Sequence, residues 1–222
     1  MERKLFVFFA AALVATGTAI AQTSPSTGQS TGQASGTQST ATTSTSNGAS
    51  KPGSVNARRQ NQQNRIANGV QSGQLTAGET KNLESREANV NREVKDDRAA
   101  DNGKLTSQER QQVDRQQNNL SKSIYADKHN ANTAHYGNNE VGARRQNQQN
   151  RIANGIRSGQ MTAGEAARTE NKEQGINEQD KADRQANGGK LTSGEKQQLN
   201  RKLNGTSKQI YNQKHNGKVA PK

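Results

Sequence analysis

Arg58-Arg59-Gln60-Asn61-Gln62-Gln63-Asn64-Arg65-Ile66-Ala67-Asn68-Gly69 returns letter for letter as Arg144 to Gly155, 86 positions later. The offset holds without a gap: Ser72-Gly73-Gln74 recurs as Ser158-Gly159-Gln160, Gly103 to Ser107 as Gly189 to Ser193, and Lys128-His129-Asn130 as Lys214-His215-Asn216. Residues 58–130 and 144–216 are therefore two copies of one unit, and the fold must be built by using that unit twice.

Within the unit the apolar residues keep helical spacing. Ile66 and Val70 are four apart, and Leu83, Val90, Val94 and Val113, Leu120, Ile124 each step by seven and then four, which places each set on one side of a helix. Thr76 with Glu79 three positions later is a capping box, in which side chain and backbone satisfy each other's unpaired groups at a helix start. The same pair recurs as Thr106/Glu109, Thr162/Glu165 and Thr192/Glu195, each after a Leu or Met with a Gly two positions further back. These marks predict helices over 56–69, 77–99 and 107–128, the first capped by Asn56, with the same three in the second copy. The expected fold is all-α: two tandem three-helix modules, 55–130 and 144–216, a linker at 131–143 and a basic tail at 217–222. Thr169, Asp180 and Thr206 stand where the first copy has Leu83, Val94 and Leu120, so the second core is expected to be looser.

Composition limits what these modules can bury. The chain is 27% hydrophobic and 3% aromatic with no Cys, so the core is small and aliphatic and lacks disulfide support. A unit of this size buries only about 60% of its unfolded surface and is marginal unless it packs on a neighbour. The formal charge of +13 is uneven: residues 55–140 carry 13 Lys/Arg against 11 Asp/Glu, and residues 141–222 carry 16 against 7. Such a field favours anionic partners.

Ahead of the repeats, Met1 to Ala21 reads as a signal peptide: Arg3 and Lys4, then an apolar run from Leu5 to Val14, then Ala19-Ile20-Ala21 before Gln22. That run is too short to span a bilayer, so no membrane span is expected in the mature chain. Residues 22–54 are almost wholly Ser, Thr, Gly, Gln and Ala, with Lys51 the only charge. A disordered tether is the expectation. Together these imply an exported protein, periplasmic or extracellular.

The polar block at the head of each copy is identical, whereas few positions from Thr80 to Asn102 match their counterparts. Two readings account for that contrast. In the first, Arg58, Arg59, Gln62 and Arg65, with Arg144, Arg145, Gln148 and Arg151, bind a ligand through Arg forks and Gln amides suited to phosphate, carboxylate or sugar hydroxyls. In the second, the block is a hydrogen-bonded seam between helices or copies. The expected partner is an anionic polymer or a protein of the cell envelope. Specific nucleic-acid binding is not expected, since each copy offers one Tyr near its end, Tyr125 or Tyr211, and no stacking platform.

Catalysis has no support in the sequence. Carboxylate pairs such as Glu84/Glu87 and Asp96/Asp97 read as solvated faces, Ser and Thr fall in the tether and the caps without a nucleophile turn, and no cofactor is implied. His129 and His135 lack further metal ligands, and Lys128-His129-Asn130 reads as a helix C-terminus with Asn130 in a left-handed exit.

Two resemblances add to this reading. Asn68 to Glu79, Arg98 to Glu109, Asn154 to Glu165 and Arg184 to Glu195 each resemble a twelve-residue EF-hand loop, with Gly sixth, an aliphatic eighth and Glu last. Their first positions hold Asn or Arg and their third hold Val, Ala or Ile, where calcium needs oxygen ligands; a calcium-responsive protein is thus an alternative, as is a purely structural spacer. Asn64-Arg65-Ile66, Ser72 to Glu79 and Ile124 to Asn130, with Asn150-Arg151-Ile152, Ser158 to Glu165 and Ile210 to Asn216, resemble a group of small exported bacterial repeat proteins. That resemblance implies location and class, and no activity.

Overall fold

The same local chemistry builds three helices twice. The computed structural model describes residues 54–221; the expected signal peptide and all of the tether but Ser54 lie outside the described residues. The helices are α1 (Val55–Ser72), α2 (Ala77–Ala100), α3 (Ser107–Lys128), α4 (Glu140–Ser158), α5 (Ala163–Ala186) and α6 (Ser193–Lys214). Among the described residues there is no strand, and no helix is long and apolar enough to cross a membrane.

All four capping boxes form. Thr76, Thr106, Thr162 and Thr192 each accept from the backbone N–H of the Glu three residues on, and that Glu accepts from the backbone N–H of its Thr. Gly73 and Gly159 end α1 and α4 at φ 73° and 72°, where a Cβ is penalised. Gly69 and Gly155 lie one turn earlier for a different reason. A Cβ on either would come within 2.6 Å of Leu75 Cδ1 or Met161 Sδ, so the missing side chain lets the loop fold back onto its own helix.

Three boundaries differ from expectation, the first being the end of α1, which continues past Gly69 to Ser72. α1 is capped by Ser54, whose hydroxyl accepts from Ala57 N–H at 3.1 Å, rather than by Asn56. Val55 decides this, because it packs beside Val90, Val94, Leu105 and Val113 and its carbonyl accepts from Gln117 Nε2 at 2.9 Å. Asn130 does not take a left-handed exit; among the described non-glycine residues only Asn102 has a positive φ. Its Nδ2 instead donates to Glu79 Oε1 at 2.8 Å, tying the end of α3 to the start of α2.

The copies meet through equivalent helices, α1 on α4 and α2 on α5. α2 and α5 run antiparallel: Gly78 lies against Gln174 and, 86 residues on, Gly164 lies against Ala88. Partners that exchange under the repeat shift mark a two-fold relation between the copies. One core results. Ile66, Ala67, Val70, Leu75, Leu83, Leu120 and Ile124 of the first copy join Ile152, Ala153, Ile156, Met161, Ala166 and Ile210 of the second. Each copy keeps a smaller cluster of its own, around Val113 and around Leu199.

Thr169 and Asp180, polar replacements in the second core, have partners of their own. Thr169 Oγ1 donates to Gln213 Oε1 at 2.7 Å, and Asp180 receives Arg184 Nε at 2.9 Å with Arg145 at 3.9 Å. Apolar volume is lost at these positions, and these bonds offset the loss.

Candidate functional site

The identical polar block points mostly inward. Gln62 Nε2 donates to the carbonyl of Gln117 at 2.6 Å and to Ser121 Oγ at 2.8 Å; Gln148 Nε2 donates to the Leu203 carbonyl at 2.6 Å. Gln63 and Gln149 turn the other way and donate to Glu84 Oε2 at 3.2 Å and Glu170 Oε2 at 2.9 Å. Each block thus joins the first helix of its copy to the second and third.

The arginines complete the seam. Arg58 bonds Asn118 and pairs with Asp114, both at 3.3 Å, and Arg65 donates to the Ser121 carbonyl at 3.1 Å. In the second copy Arg144 reaches Asn200 at 2.7 Å and Arg151 reaches Ser207. These four are half-buried, whereas Arg59 and Arg145 are buried. Arg59 donates to the Pro221 carbonyl, from the segment that follows α6, and Arg145 lies 5.4 Å over the Tyr136 ring, in the segment that follows α3. Of the eight candidate ligand residues, Arg59, Gln62, Arg145 and Gln148 are therefore enclosed, and the others are engaged with their own chain. The twelve-residue identity is matched by contacts repeated in both copies.

Glu84 and Glu87, expected on a solvated face, are buried, as are Glu170 and Glu173. Their burial has a physical cause: the face of α2 that carries them packs against α1 and α5. Glu84 and Glu170 each keep one oxygen on a Gln amide. Neither Glu87 nor Glu173 has a hydrogen bond of ordinary geometry; their polar surroundings include Arg59 with Asn91, and Arg145. Burial pushes both carboxyls up to about 7, against the pull of Arg59 on Glu87 and of Arg145 on Glu173. Glu84 and Glu170 are raised well above the carboxylate range, by burial first. The signal sequence reasoning passed over was recurrence, since Glu84 and Glu87 reappear at 170 and 173 in a helix where fewer than half of the positions match, as do their Gln partners.

The loop-ending glutamates are engaged in holding the turns. Glu79 Oε2 accepts from Thr76, and Oε1 from Asn130 and Asn132; Glu165 repeats this with Thr162 and Asn216. Backbone and side-chain hydrogen bonds hold both carboxylates below their usual range against the opposing effect of burial, the largest single influence. Among the described residues no three His, Cys, Asp or Glu are grouped to hold a metal ion.

Burial also sorts the charges. Of the seven Asp/Glu in residues 141–221 only Glu178 is exposed, whereas ten of the Lys/Arg are exposed. The second copy hides its acids and displays its bases, so its surface is more basic than its composition.

The sequence matches no protein-family model, and no curated protein or solved structure matches it.

Proposed function

We propose that this is a non-enzymatic binding protein of the cell envelope whose second copy presents a basic face to an anionic polymer or protein. The observation that carries the reading is the sorting of charge, with Glu165, Glu170, Glu173 and Asp180 buried while Lys196, Arg201 and Lys208 are exposed. Exposed cations with few acids between them give a field that attracts polyanions and weakens with salt.

The contact residues are those exposed cations rather than the polar block, which the helices use internally. Titration of the full chain with polyglutamate and with alginate at low salt tests this. Binding should be saturable and fade as salt rises. Lys196→Gln, Arg201→Gln and Lys208→Gln together should weaken it and flatten its salt dependence. Failure of both polymers to bind at low salt, or binding indifferent to these changes, would refute the reading.

A further inference from the structure

The groove between α5 and α6 has a counterpart between α2 and α3, and the two have diverged in one direction. In the first copy Asn89 and Asn119 line the groove with Leu120 at its floor, and Glu93 accepts from Gln112 and Gln116 at 2.6 and 2.7 Å, bridging the helices where the second copy has a bond from Lys202 to Gln179. Its volume is about 210 Å³. In the second copy the same positions hold Gly175, Gly205 and Thr206, while Gln179 replaces Glu93 and Lys202 replaces Gln116. The volume there is about 440 Å³, flanked by Lys172 and Lys202 over Ile176.

The two glycines have no role inside the chain. Neither has a positive φ, and a Cβ on either would meet nothing within 4 Å. A glycine inside a helix costs about 1 kcal/mol relative to Ala. Two of them facing one groove, with an acid removed and a lysine added, leave bare backbone beside an apolar floor and a cationic rim.

We infer that this groove takes an acidic protein segment that seats an apolar side chain between Gly175 and Gly205 and lays its carboxylates on Lys172 and Lys202. The inference rests on the basic-surface reading for the sign of the partner. It adds the concave apolar seat, into which a helix lays apolar anchors and which neither a flat lipid surface nor a hydroxyl-rich glycan would fill.

A fluorescein-labelled Glu-rich helical peptide carrying two Leu one turn apart, and the same peptide with Ala for Leu, test it by anisotropy against the full chain. Burial of a Leu side chain should make the Leu peptide bind about tenfold tighter. Gly175→Leu with Gly205→Leu should abolish that preference, leave binding of the Ala peptide unchanged and melt no lower than the unaltered protein. Gly175→Asn with Gly205→Asn, the residues of the first copy, is the second closure should the larger side chains disturb the helices. Equal affinity for the two peptides, or a Leu preference that survives closure, overturns the groove and leaves the basic surface standing. Failure of both peptides to bind at low salt overturns both. Phosphatidylglycerol vesicles whose binding is lost on closure, with the peptides ignored, would assign the groove to lipid and overturn the inference.

Discussion

Raising the pH should destabilise this protein from its interior. Glu87 and Glu173 have folded-state pKa values of about 7 against an ordinary 4.5. A carboxyl with a raised folded pKa binds its proton more tightly folded than unfolded, so its stabilisation is complete below about 4.5 and is lost as pH rises through 7. At about 1.4 kcal/mol per pH unit the loss is about 3 kcal/mol for each carboxyl, and Glu84 and Glu170 act in the same direction. Glu79 and Glu165 have lowered pKa values and act oppositely, protecting above their ordinary pKa and failing as pH falls. The melting temperature should therefore peak near pH 5 and drop toward pH 8. Glu87→Gln with Glu173→Gln removes the buried charge and keeps the shape. For a chain of this size about 1 kcal/mol moves Tm by 2–4 °C, so the double variant should melt on the order of 10 °C higher at pH 8 and show a shallower slope between pH 5 and 8, the remainder belonging to Glu84 and Glu170. Circular dichroism across that range is the assay. A flat profile for the unaltered protein, or a double variant melting no higher at pH 8, would refute the account of these four carboxyls.

Other perturbations follow from particular contacts. Thr162→Ala removes the hydroxyl that accepts from Glu165 N–H at 3.3 Å and should cost about 1 kcal/mol in urea denaturation, with Thr162→Ser recovering most of it. Gly69→Ala and Gly155→Ala both force a Cβ to within 2.6 Å of a buried side chain, overpacking worth about 1–3 kcal/mol; Gly155→Ala should cost less, since the Met161 thioether yields more readily than the branched Leu75, and equal losses by denaturant titration would count against that distinction. Gln63→Leu deprives the buried Glu84 Oε2 of its donor and should cost about 1–3 kcal/mol in urea denaturation, the penalty of an unpaired buried oxygen; a variant as stable as the unaltered protein would count against that bond.

What could be read from the sequence was whatever is local. Four Thr-x-x-Glu pairs set four helix starts, because cap chemistry involves residues three or four apart. Ser54 and Asn56 are both good caps, and only the docking of Val55 on a distant cluster chooses between them. The copy-to-copy interface was harder to see. Leu83 is as apolar in a private three-helix core as in a shared one, so periodicity shows that it is buried without showing against what. The same limit hid Glu84 and Glu87. A carboxylate on a polar helix reads as solvated until the face it occupies is known to meet another helix, and the repeat itself was the available sign, since both recur with Gln63 and Gln149. Arg59 and Arg145 stand out in the repeated block, but their partners, the Pro221 carbonyl and Tyr136, lie 162 and 9 residues away in segments without periodicity.

The two-fold relation makes a final prediction about a single copy. Gly78 opposite Gln174 and Ala88 opposite Gly164 place Leu83 and Thr169, midway in each span, at the crossing of α2 and α5. A first copy alone, residues 54–139, would expose Ile66, Val70 and Leu83, which the second copy now covers. Its own surface is the surface that the second copy's equivalents offer, so two first copies can rebuild the interface with Leu83 meeting Leu83. A second copy alone would bring Thr169 to Thr169. Full burial of a Leu is worth about 1.5–3 kcal/mol, more than a Thr methyl supplies, so the first-copy dimer should be the tighter of the two. Sedimentation equilibrium of residues 54–139 should give a helical dimer that loses helix on dilution, with residues 140–221 associating more weakly. A first copy that stays helical as a monomer would mean that its private cluster around Val113 suffices, and that the shared core is a contact between folded units rather than the source of their stability.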